Sequence, residues 1–196
     1  RTMNMPRLLH VVTKKGFGHI EAQENPTKFH GVSPEIVLPK NETTAEAKTS
    51  FTSVFGKALV EMAYSDERIV AITAAMPGGT GLTEFKQTFP HRFFDVGISE
   101  QHAVGFAAGM AKKGKIPVVA IYSTFFQRAL DQVFHEACLQ NLPMIFALDR
   151  GGLVGQDGPT HHGVFDIAML RTLPNIELLS PMNGEELRAM LHYGVS

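Results

Sequence analysis

Apolar and polar positions follow two alternating periods from about residue 47 to the end of the chain. Short runs of Val, Ile, Ala and Leu, typical of strands buried on both faces, alternate with stretches whose apolar residues recur at helical spacing. The predicted strands are Ile69–Ala75, Phe93–Ile98, Pro117–Tyr122, Pro143–Leu148 and Ile176–Leu179. The predicted helices are Phe51–Tyr64, Thr80–Phe89, Gln101–Lys112, Phe125–Gln140, Val164–Leu173 and Asn183–His192, the last with Asn183 as its N-cap. This alternation predicts an α/β fold with a mostly parallel sheet and helices on both faces.

The first 47 residues lack this alternation. Leu8–Val12 reads as a strand, whereas the polar stretch that follows contains three prolines and no periodicity. A lone strand makes most sense as the end of a preceding domain. We therefore expect residues 1–31 to be the tail of such a domain, 32–47 a linker, and 48–196 the main domain, incomplete at its C-terminus. The chain also begins without a methionine, so we expect a piece of a longer polypeptide.

Composition excludes several classes of function. The net charge of -1 gives no electrostatic basis for binding nucleic acid or an anionic membrane surface. No apolar run reaches the roughly 18 residues of a membrane span. Cys138, the single cysteine, excludes an internal disulfide and fits a reducing compartment. Because the N-terminus also shows no targeting pattern, we expect a cytoplasmic protein that binds neither nucleic acid nor membranes.

Polar side chains follow the predicted strands at the points where those strands end. Glu100 follows one strand, Tyr122 ends the next, and Asp149 and Arg150 follow the third. Because the carboxyl ends of parallel strands share one edge of a sheet, these groups can meet at a single ligand site. Glu100 stands between an apolar run and a helix rich in Ala and Gly. It is either a charge at a helix start or a working acid–base group.

A loop of thirteen residues, five of them glycine, runs from Gly151 to Gly163. Its Asp157, His161 and His162 could transfer protons or hydrogen-bond a ligand, and the alternative is a solvated loop of turn residues. A zinc site is disfavoured, because adjacent histidines are poor joint ligands and no Cys/His spacing supports them. The sequence therefore predicts no metal site of its own.

Phe125 and Arg128 lie three residues apart and share a face near the start of a predicted helix. They would offer a flat apolar surface and a guanidinium, which suit an aromatic ring and a phosphate or carboxylate. The alternatives place Phe125 in the core and pair Arg128 with Asp131. A weaker candidate is Gly78–Gly81, which could cradle a phosphate but lacks the spacing of a phosphate-binding motif.

Five stretches of the chain resemble a known group of enzymes. Residues 94–104, FDVGISEQHAV, are similar to the glutamate motif of thiamine-diphosphate enzymes of the transketolase group. Within that group, VAIYSTFFQRALDQV at 119–133 and DRGGLVGQDGPTHHG at 149–163 resemble the 1-deoxy-D-xylulose-5-phosphate synthase family. LLHVVTKKG at 8–16 and PTKFHGV at 26–32 resemble the end of that family's first domain. The resemblance runs from about Pro6 to Ser196.

The resemblance implies thiamine diphosphate as the cofactor. In the family, Mg²⁺ and the diphosphate are held by a Gly-Asp-Gly motif and a downstream Asn of the first domain, neither of which is found in this chain. Residues 1–31 would then be the tail of that diphosphate-binding domain. Residues 48–196 would be the transketolase-like, pyrimidine-binding domain.

The resemblance also implies residue roles. Glu100 would hydrogen-bond the pyrimidine N1′ of the cofactor and, with His161, act in catalysis. Phe125 would stack on the aminopyrimidine, with Ile98 and Met76 near the ring system. The substrate-binding residues would be Tyr122, Arg128, Asp157, His161 and His30.

The implied reaction condenses pyruvate with D-glyceraldehyde 3-phosphate, with loss of CO2, to give 1-deoxy-D-xylulose 5-phosphate in a homodimeric enzyme. Without the diphosphate and Mg²⁺ site, we expect this chain alone to lack turnover. Two alternatives stay open. The chain could come from another enzyme of the group, a transketolase or the β subunit of a 2-oxo acid dehydrogenase. It could also be a module that binds cofactor or dimerises without catalysis.

Overall fold

A computed structural model describes residues 8–27, 29–30, 49–155 and 157–196. The chain divides into two compact units, Arg1–Ala47 and Lys48–Ser196. In the smaller unit, helix α1 spans Ile20–Glu24, and the His19 imidazole caps it by accepting a hydrogen bond from the Ala22 N–H at 3.3 Å.

The strand predicted at Leu8–Val12 is wrong. These residues form no strand in the structure, and the Leu8 side chain is 96% exposed. A strand is stable only where its backbone groups pair with a neighbouring strand, and within this unit the described residues offer none. An apolar run of five residues was therefore too weak a signal for a strand.

The larger unit is built on a four-stranded parallel sheet with the strand order β2-β1-β3-β4. The central pair sets Ile69 of β1 opposite Ile116 of β3, and β3 in turn sets Val118 opposite Ile145 of β4. The strands are β1 (Ile69–Thr73), β2 (Phe93–Asp95), β3 (Ile116–Tyr122) and β4 (Ile145–Asp149). All four carboxyl ends therefore lie at one edge, as the sequence predicted.

Helices connect and cover these strands. They are α2 (Phe51–Ser65), α3 (Thr83–Thr88), α4 (Glu100–Ala111), α5 (Ser123–Phe126), α6 (Leu130–Gln132), α7 (Asp166–Leu170) and α8 (Gly184–Val195). Short 3-10 turns add Pro90–Arg92, Gln127–Ala129 and Pro159–His161. The predicted cap of the last helix is confirmed, because the Asn183 side chain accepts a hydrogen bond from the Glu186 N–H at 2.9 Å.

The sheet separates two hydrophobic cores. Alternate residues of a strand face opposite sides, so Val118 and Ala120 enter the first core while Val119 and Ile121 enter the second. The first core is closed by α2, α3 and α8. The second is closed by α4, the helical segments after β3, and α7. The predicted α/β fold with helices on both faces is therefore confirmed.

Two further elements differ from the prediction. Ile176–Leu179 is not a strand; Ile176 packs on the second core and Glu177 accepts a hydrogen bond from the Tyr193 hydroxyl at 2.9 Å. Side chains rather than a backbone ladder hold this segment. The long helix predicted at Phe125–Gln140 begins at Ser123 and is segmented, ending in a π-helical turn at Val133–Cys138. No described helix is both long and apolar enough to span a bilayer.

Helix α2 is held close to the chain that precedes α3. Gly56 lies so near the Gly81 carbonyl that a Cβ at Gly56 would collide with it. Gly81 has a φ of 76°, and a Cβ at this position would collide with the Thr52 carbonyl. Both positions therefore require glycine. This contact fixes the start of α2 against the first loop of the sheet edge.

We predict that Gly56→Ala lowers the free energy of unfolding by about 1–3 kcal/mol, because backbone atoms must shift to admit the methyl group. Gly109→Ala in α4 is the matched control. A Cβ there meets no atom within 4 Å, so this helical glycine should give a gain of about 0.5–1 kcal/mol. Urea unfolding measures both, and equal stability of Gly56→Ala and the unmodified chain would contradict the close contact.

Candidate active site

Glu100 is the first residue of α4, and its side chain is only 3% exposed. β2 ends at Asp95, so the predicted strand end at Ile98 was three residues too late, and a turn separates the strand from Glu100. The position still lies at the carboxyl edge of the sheet. A carboxylate in the first turn of a helix also lies at the positive end of the helix dipole, a favourable electrostatic contact.

Asp95 fixes the two loops that enter this edge. Its Oδ1 accepts hydrogen bonds from the Ala75 N–H at 2.7 Å and the Gly97 N–H at 3.0 Å. Ala75 and Gly97 both have positive φ, 64° and 73°. One carboxylate therefore orders the turn after β1 and the turn that leads to Glu100. The sequence analysis missed this role, although an Asp that ends a strand just before a Val-Gly turn is a usable signal.

Arg128 covers Glu100. Its Nη1 donates to Glu100 Oε1 at 2.7 Å, and its guanidinium lies 5.1 Å from the centre of the Phe125 ring. The alternative pairing of Arg128 with Asp131 is wrong, since Asp131 instead pairs with His135 at 3.2 Å. The Arg128 side chain is 49% exposed. A buried carboxylate is thus compensated by a cation that solvent or a ligand can reach.

Phe125 is the centre of an aromatic cluster. Tyr122 stacks on it with ring centres 5.8 Å apart, and His161 meets it edge-on at 5.2 Å. Phe125 is half-buried, so it is neither a plain core residue nor a fully exposed one. The cluster unites three residues that the sequence analysis selected from two separate motifs.

Arg150 ties the loop after β4 to this cluster. Its guanidinium lies 3.9 Å from the centre of the Tyr122 ring, its Nη1 donates to the Gly79 carbonyl at 2.8 Å, and its Nε donates to Asp157 Oδ2 at 3.3 Å. The Arg150 backbone has a φ of 60°. The sequence placed Arg150 at a strand end but gave it no role, because its partners are distant in sequence.

Tyr122 and Asp149, at the ends of β3 and β4, lie next to Arg150. Burial raises the pKa of Tyr122, and the nearby Arg150 charge opposes that rise. Asp149 Oδ2 accepts a hydrogen bond from the Thr52 hydroxyl at 2.8 Å, which links β4 to α2. The Tyr122 hydroxyl sits where a Cβ of Gly79 would be. Protein atoms therefore approach the Gly78–Gly81 stretch closely, which weakens it as a phosphate cradle.

Ser123 and Asp166 form a second buried connection. The fully buried Ser123 hydroxyl lies 2.7 Å and 2.6 Å from the two carboxylate oxygens of Asp166. Burial raises the pKa of Asp166, and the hydrogen bond from Ser123 partly opposes the rise. A Cβ on Gly163 would collide with the Ser123 hydroxyl. The sequence analysis missed this pair.

The remaining candidates occupy different surroundings. Met76 is half-buried against the second core, whereas Ile98 is 81% exposed. His162 accepts a hydrogen bond from the Val154 N–H at 3.1 Å and so orders the loop. His30 lies in the smaller unit, 2.7 Å from Lys15 Nζ. Across the described part of the chain, no three His, Cys, Asp or Glu side chains cluster closely enough to hold a metal.

The arrangement suits a planar heteroaromatic ligand with hydrogen-bonding nitrogens. Glu100 offers a buried carboxylate acceptor, Phe125 offers a ring face, and Met76 adds apolar surface. These residues fit the pyrimidine end of thiamine diphosphate. The described residues offer no cluster for the metal that accompanies its diphosphate.

Comparison with known protein families also identifies a pyrimidine-binding domain. Residues 47–196 match the model described as the transketolase, pyrimidine binding domain. Because this match covers more than half of the 196 residues, the chain belongs to the family of transketolase pyrimidine-binding domains.

Curated relatives narrow the resemblance further. A 1-deoxy-D-xylulose-5-phosphate synthase 1 of Geobacter sulfurreducens is 57% identical over 197 residues, which cover 100% of this chain and 31% of the relative. A 1-deoxy-D-xylulose-5-phosphate synthase of Aquifex aeolicus is 58% identical over 190 residues, which cover 97% of this chain and 30% of the relative. The chain thus spans about three tenths of the length of these relatives.

Solved structures show the same fold. A split gene transketolase, described as an inactive beta4 tetramer, matches with a TM-score of 0.65 at 32% identity, over 74% of this chain and 47% of that one. A transketolase from Leishmania mexicana matches with a TM-score of 0.67 at 22% identity, over 74% of this chain and 23% of that one. The second likeness concerns the fold alone.

We predict that Glu100 and Arg128 are energetically coupled. Arg128→Met leaves a buried carboxylate without its cation, so it should destabilise the chain more than it does in a Glu100→Gln background. A double-mutant cycle in urea should give a coupling of about 1–2 kcal/mol, reduced because Arg128 is half exposed. The exposed pair Arg188 and Glu61 is the control and should give less than about 0.5 kcal/mol. Equal coupling in the two pairs would contradict the buried character of Glu100.

We also predict a pH-dependent stability from Asp166. Its folded-state pKa is raised, so the folded chain binds this proton more tightly than the unfolded chain. The resulting stability is fully present below about pH 4 and is lost as the pH rises through the raised pKa. Relative to Asp166→Asn, the unmodified chain should therefore lose free energy of unfolding between pH 4 and pH 7. Urea titrations across this range measure the difference, and a pH-independent difference would disprove the assignment.

Proposed function

We propose that this chain supplies the pyrimidine-binding part of a thiamine-diphosphate-dependent 1-deoxy-D-xylulose-5-phosphate synthase. The observation that carries the proposal is the buried Glu100 carboxylate at the carboxyl edge of the sheet, whose partner Arg128 lies over the Phe125 ring. The names of the 53–58% identical relatives support the particular reaction. That reaction condenses pyruvate with D-glyceraldehyde 3-phosphate, with loss of CO2, to 1-deoxy-D-xylulose 5-phosphate.

The proposal includes a domain arrangement. Residues 1–31 would be the tail of a preceding diphosphate-binding domain, 32–47 a linker, and 48–196 the pyrimidine-binding domain. The ligands of Mg²⁺ and of the diphosphate would come from that preceding domain. The enzyme would be a cytoplasmic homodimer, and the chain by itself would not turn over substrate.

Bound thiamine diphosphate supplies a carbon centre that can attack the keto group of pyruvate and accept the electrons released with CO2. Glu100 would hold a proton between its carboxylate and the pyrimidine N1′, in a site from which water is largely excluded. Phe125 would support the pyrimidine face, with Met76 and Ile98 contributing apolar surface. Arg128 would compensate the Glu100 charge until the ligand provides a hydrogen bond in its place.

The same edge would receive the substrates. Arg128 and Arg150 bring positive charge to the side of the aromatic cluster that is reached from solvent, which suits a keto acid and an aldehyde phosphate. His161 lies on Phe125 and would exchange protons with the reacting oxygens. The proposed substrate-binding residues of this edge are Tyr122, Arg128, Asp157 and His161, and the role expected for His30, in the smaller unit, stays a prediction.

Two other functions are tested by the same experiments. Another enzyme of the transketolase group would transfer ketol units or act on other 2-oxo acids. A non-catalytic module would bind cofactor or dimerise only, and the split gene transketolase described as an inactive tetramer is one protein of that kind. The sequence identity to 1-deoxy-D-xylulose-5-phosphate synthases favours the synthase proposed above over both alternatives.

The test is a chimera. This chain replaces the matching 197-residue segment of the Geobacter sulfurreducens relative, and purified protein is assayed with pyruvate and D-glyceraldehyde 3-phosphate. We expect 1-deoxy-D-xylulose 5-phosphate at a rate within about tenfold of the unaltered relative, and no product from this chain alone. A folded chimera that transfers ketol units, or that makes no product, would overturn the proposal.

In that chimera, Glu100→Gln should lower kcat by about 100-fold or more, because an amide cannot accept or return the proton. Glu84→Gln, at an exposed position in the first turn of α3, is the matched control and should change kcat less than about twofold. Cofactor affinity, measured by titration, should fall with Glu100→Gln as well. An unchanged kcat would remove Glu100 from its proposed role.

A further inference from the structure

Residues 157–163 form the part of the long loop that returns toward the sheet, and we call them the His161 arm. Its end is tied to the start of the loop, because the Gly152 and Gly163 backbones exchange two hydrogen bonds of 2.8 Å. At this end, Gly163 presses against the Ser123 hydroxyl and the Arg150 carbonyl, where a Cβ would collide with both. The arm therefore leaves the sheet edge at one fixed point.

Ser123 and Asp166 hold that point. Ser123 is the first residue after β3 and is completely buried. Asp166 begins α7, which is itself anchored by the buried Leu170 in the second core. The hydrogen bonds between the Ser123 hydroxyl and the Asp166 carboxylate thus join the central strand to the helix that follows the arm. A hydrogen bond to a carboxylate is about twice as strong as one between neutral groups.

The neighbouring residue adds a second anchor. The Thr124 hydroxyl donates to the Thr160 carbonyl at 3.1 Å, directly before His161. His161 then meets the Phe125 ring edge-on. Of the four consecutive residues 122–125, the outer two therefore present rings to the site and the inner two hold the arm that carries His161.

We propose that Ser123 and Asp166 are positioning residues that set where the His161 arm lies over Phe125, and thereby the affinity for substrate. The inference rests on the proposed function, since it assigns the arm a substrate. Neither residue would touch substrate or cofactor. They act through Gly163 and the backbone that carries Asp157 and His161.

The first experiment needs no activity. Amide hydrogen exchange is measured at Gly152 and Gly163 in this chain and in Ser123→Ala. Loss of the buried hydroxyl should speed exchange at both amides by about tenfold or more, because their hydrogen bonds open with the arm. Asp166→Asn keeps an oxygen that can accept from Ser123, so its exchange rates should stay within about threefold of the unmodified chain.

Thr73→Val is the matched control. It deletes another fully buried hydroxyl, which donates to the Ala120 carbonyl at 2.8 Å inside the sheet. It should lower stability without speeding exchange at Gly152 and Gly163. If Thr73→Val speeds exchange at these two amides as much as Ser123→Ala does, the effect is general destabilisation and the proposal is wrong. If Ser123→Ala does not fold, Asp166→Ala removes the same hydrogen bonds from the other side.

The second experiment uses the chimera. Ser123→Ala should raise the KM for D-glyceraldehyde 3-phosphate by about tenfold, the equivalent of one charge-assisted hydrogen bond, with kcat within about threefold. Asp166→Asn and Thr73→Val, each made alone, should leave the KM within about threefold of the unmodified chimera. Unaltered exchange together with an unaltered KM in Ser123→Ala overturns the inference while the proposed function stands. A chimera without activity defeats the proposed function, and amide exchange alone then decides whether the pair holds the arm.

Discussion

The buried carboxylate of Glu100 imposes the main physical constraint on this molecule. Removing a charge from water costs several kcal/mol unless a partner compensates it. The chain meets that cost by starting α4 at Glu100, which uses the helix dipole, and by bringing Arg128 to within 2.7 Å. Arg128 can reach Glu100 only because the segment after β3 begins in helical geometry at the sheet edge. The position of Phe125 on that segment follows from the same requirement.

Parallel pairing turns this local constraint into a site. Strands β1, β3 and β4 end at the same edge, so the turn after β1, the helical segments after β3 and the loop after β4 converge. Each turn is then fixed by a side chain at the end of a strand. Asp95 accepts hydrogen bonds that order the turns beside β1 and β2. The Arg150 guanidinium lies over the Tyr122 ring, and Asp149 accepts a hydrogen bond from the Thr52 hydroxyl. The sheet places the groups, and these hydrogen bonds and the cation–π contact orient them.

Local patterns predicted the elements but not their partners. Helical spacing, apolar runs and the Asn183 cap depend on neighbouring residues, so the sheet, its covering helices and the convergence of strand ends were predictable. Leu8–Val12 and Ile176–Leu179 failed because pairing, not apolarity, makes a strand. The hydrogen bond between Arg128 and Glu100 joins residues that are 28 positions apart in the sequence. The one between Ser123 and Asp166 joins residues that are 43 positions apart. Short-range spacing carries no information about such pairs, and Asp131 was the natural but wrong partner for Arg128.

Arg150 shows how the site is stiffened before any ligand arrives. A non-glycine residue with a φ of 60° costs about 1 kcal/mol. That conformation persists because the Arg150 guanidinium donates to the Gly79 carbonyl and to two carboxylates while it lies on the Tyr122 ring. The contacts span three of the four loops at the sheet edge. A backbone held from several directions has few other conformations available, so the charges and rings of this edge are fixed in advance, which would lower the ordering cost of binding the proposed cofactor.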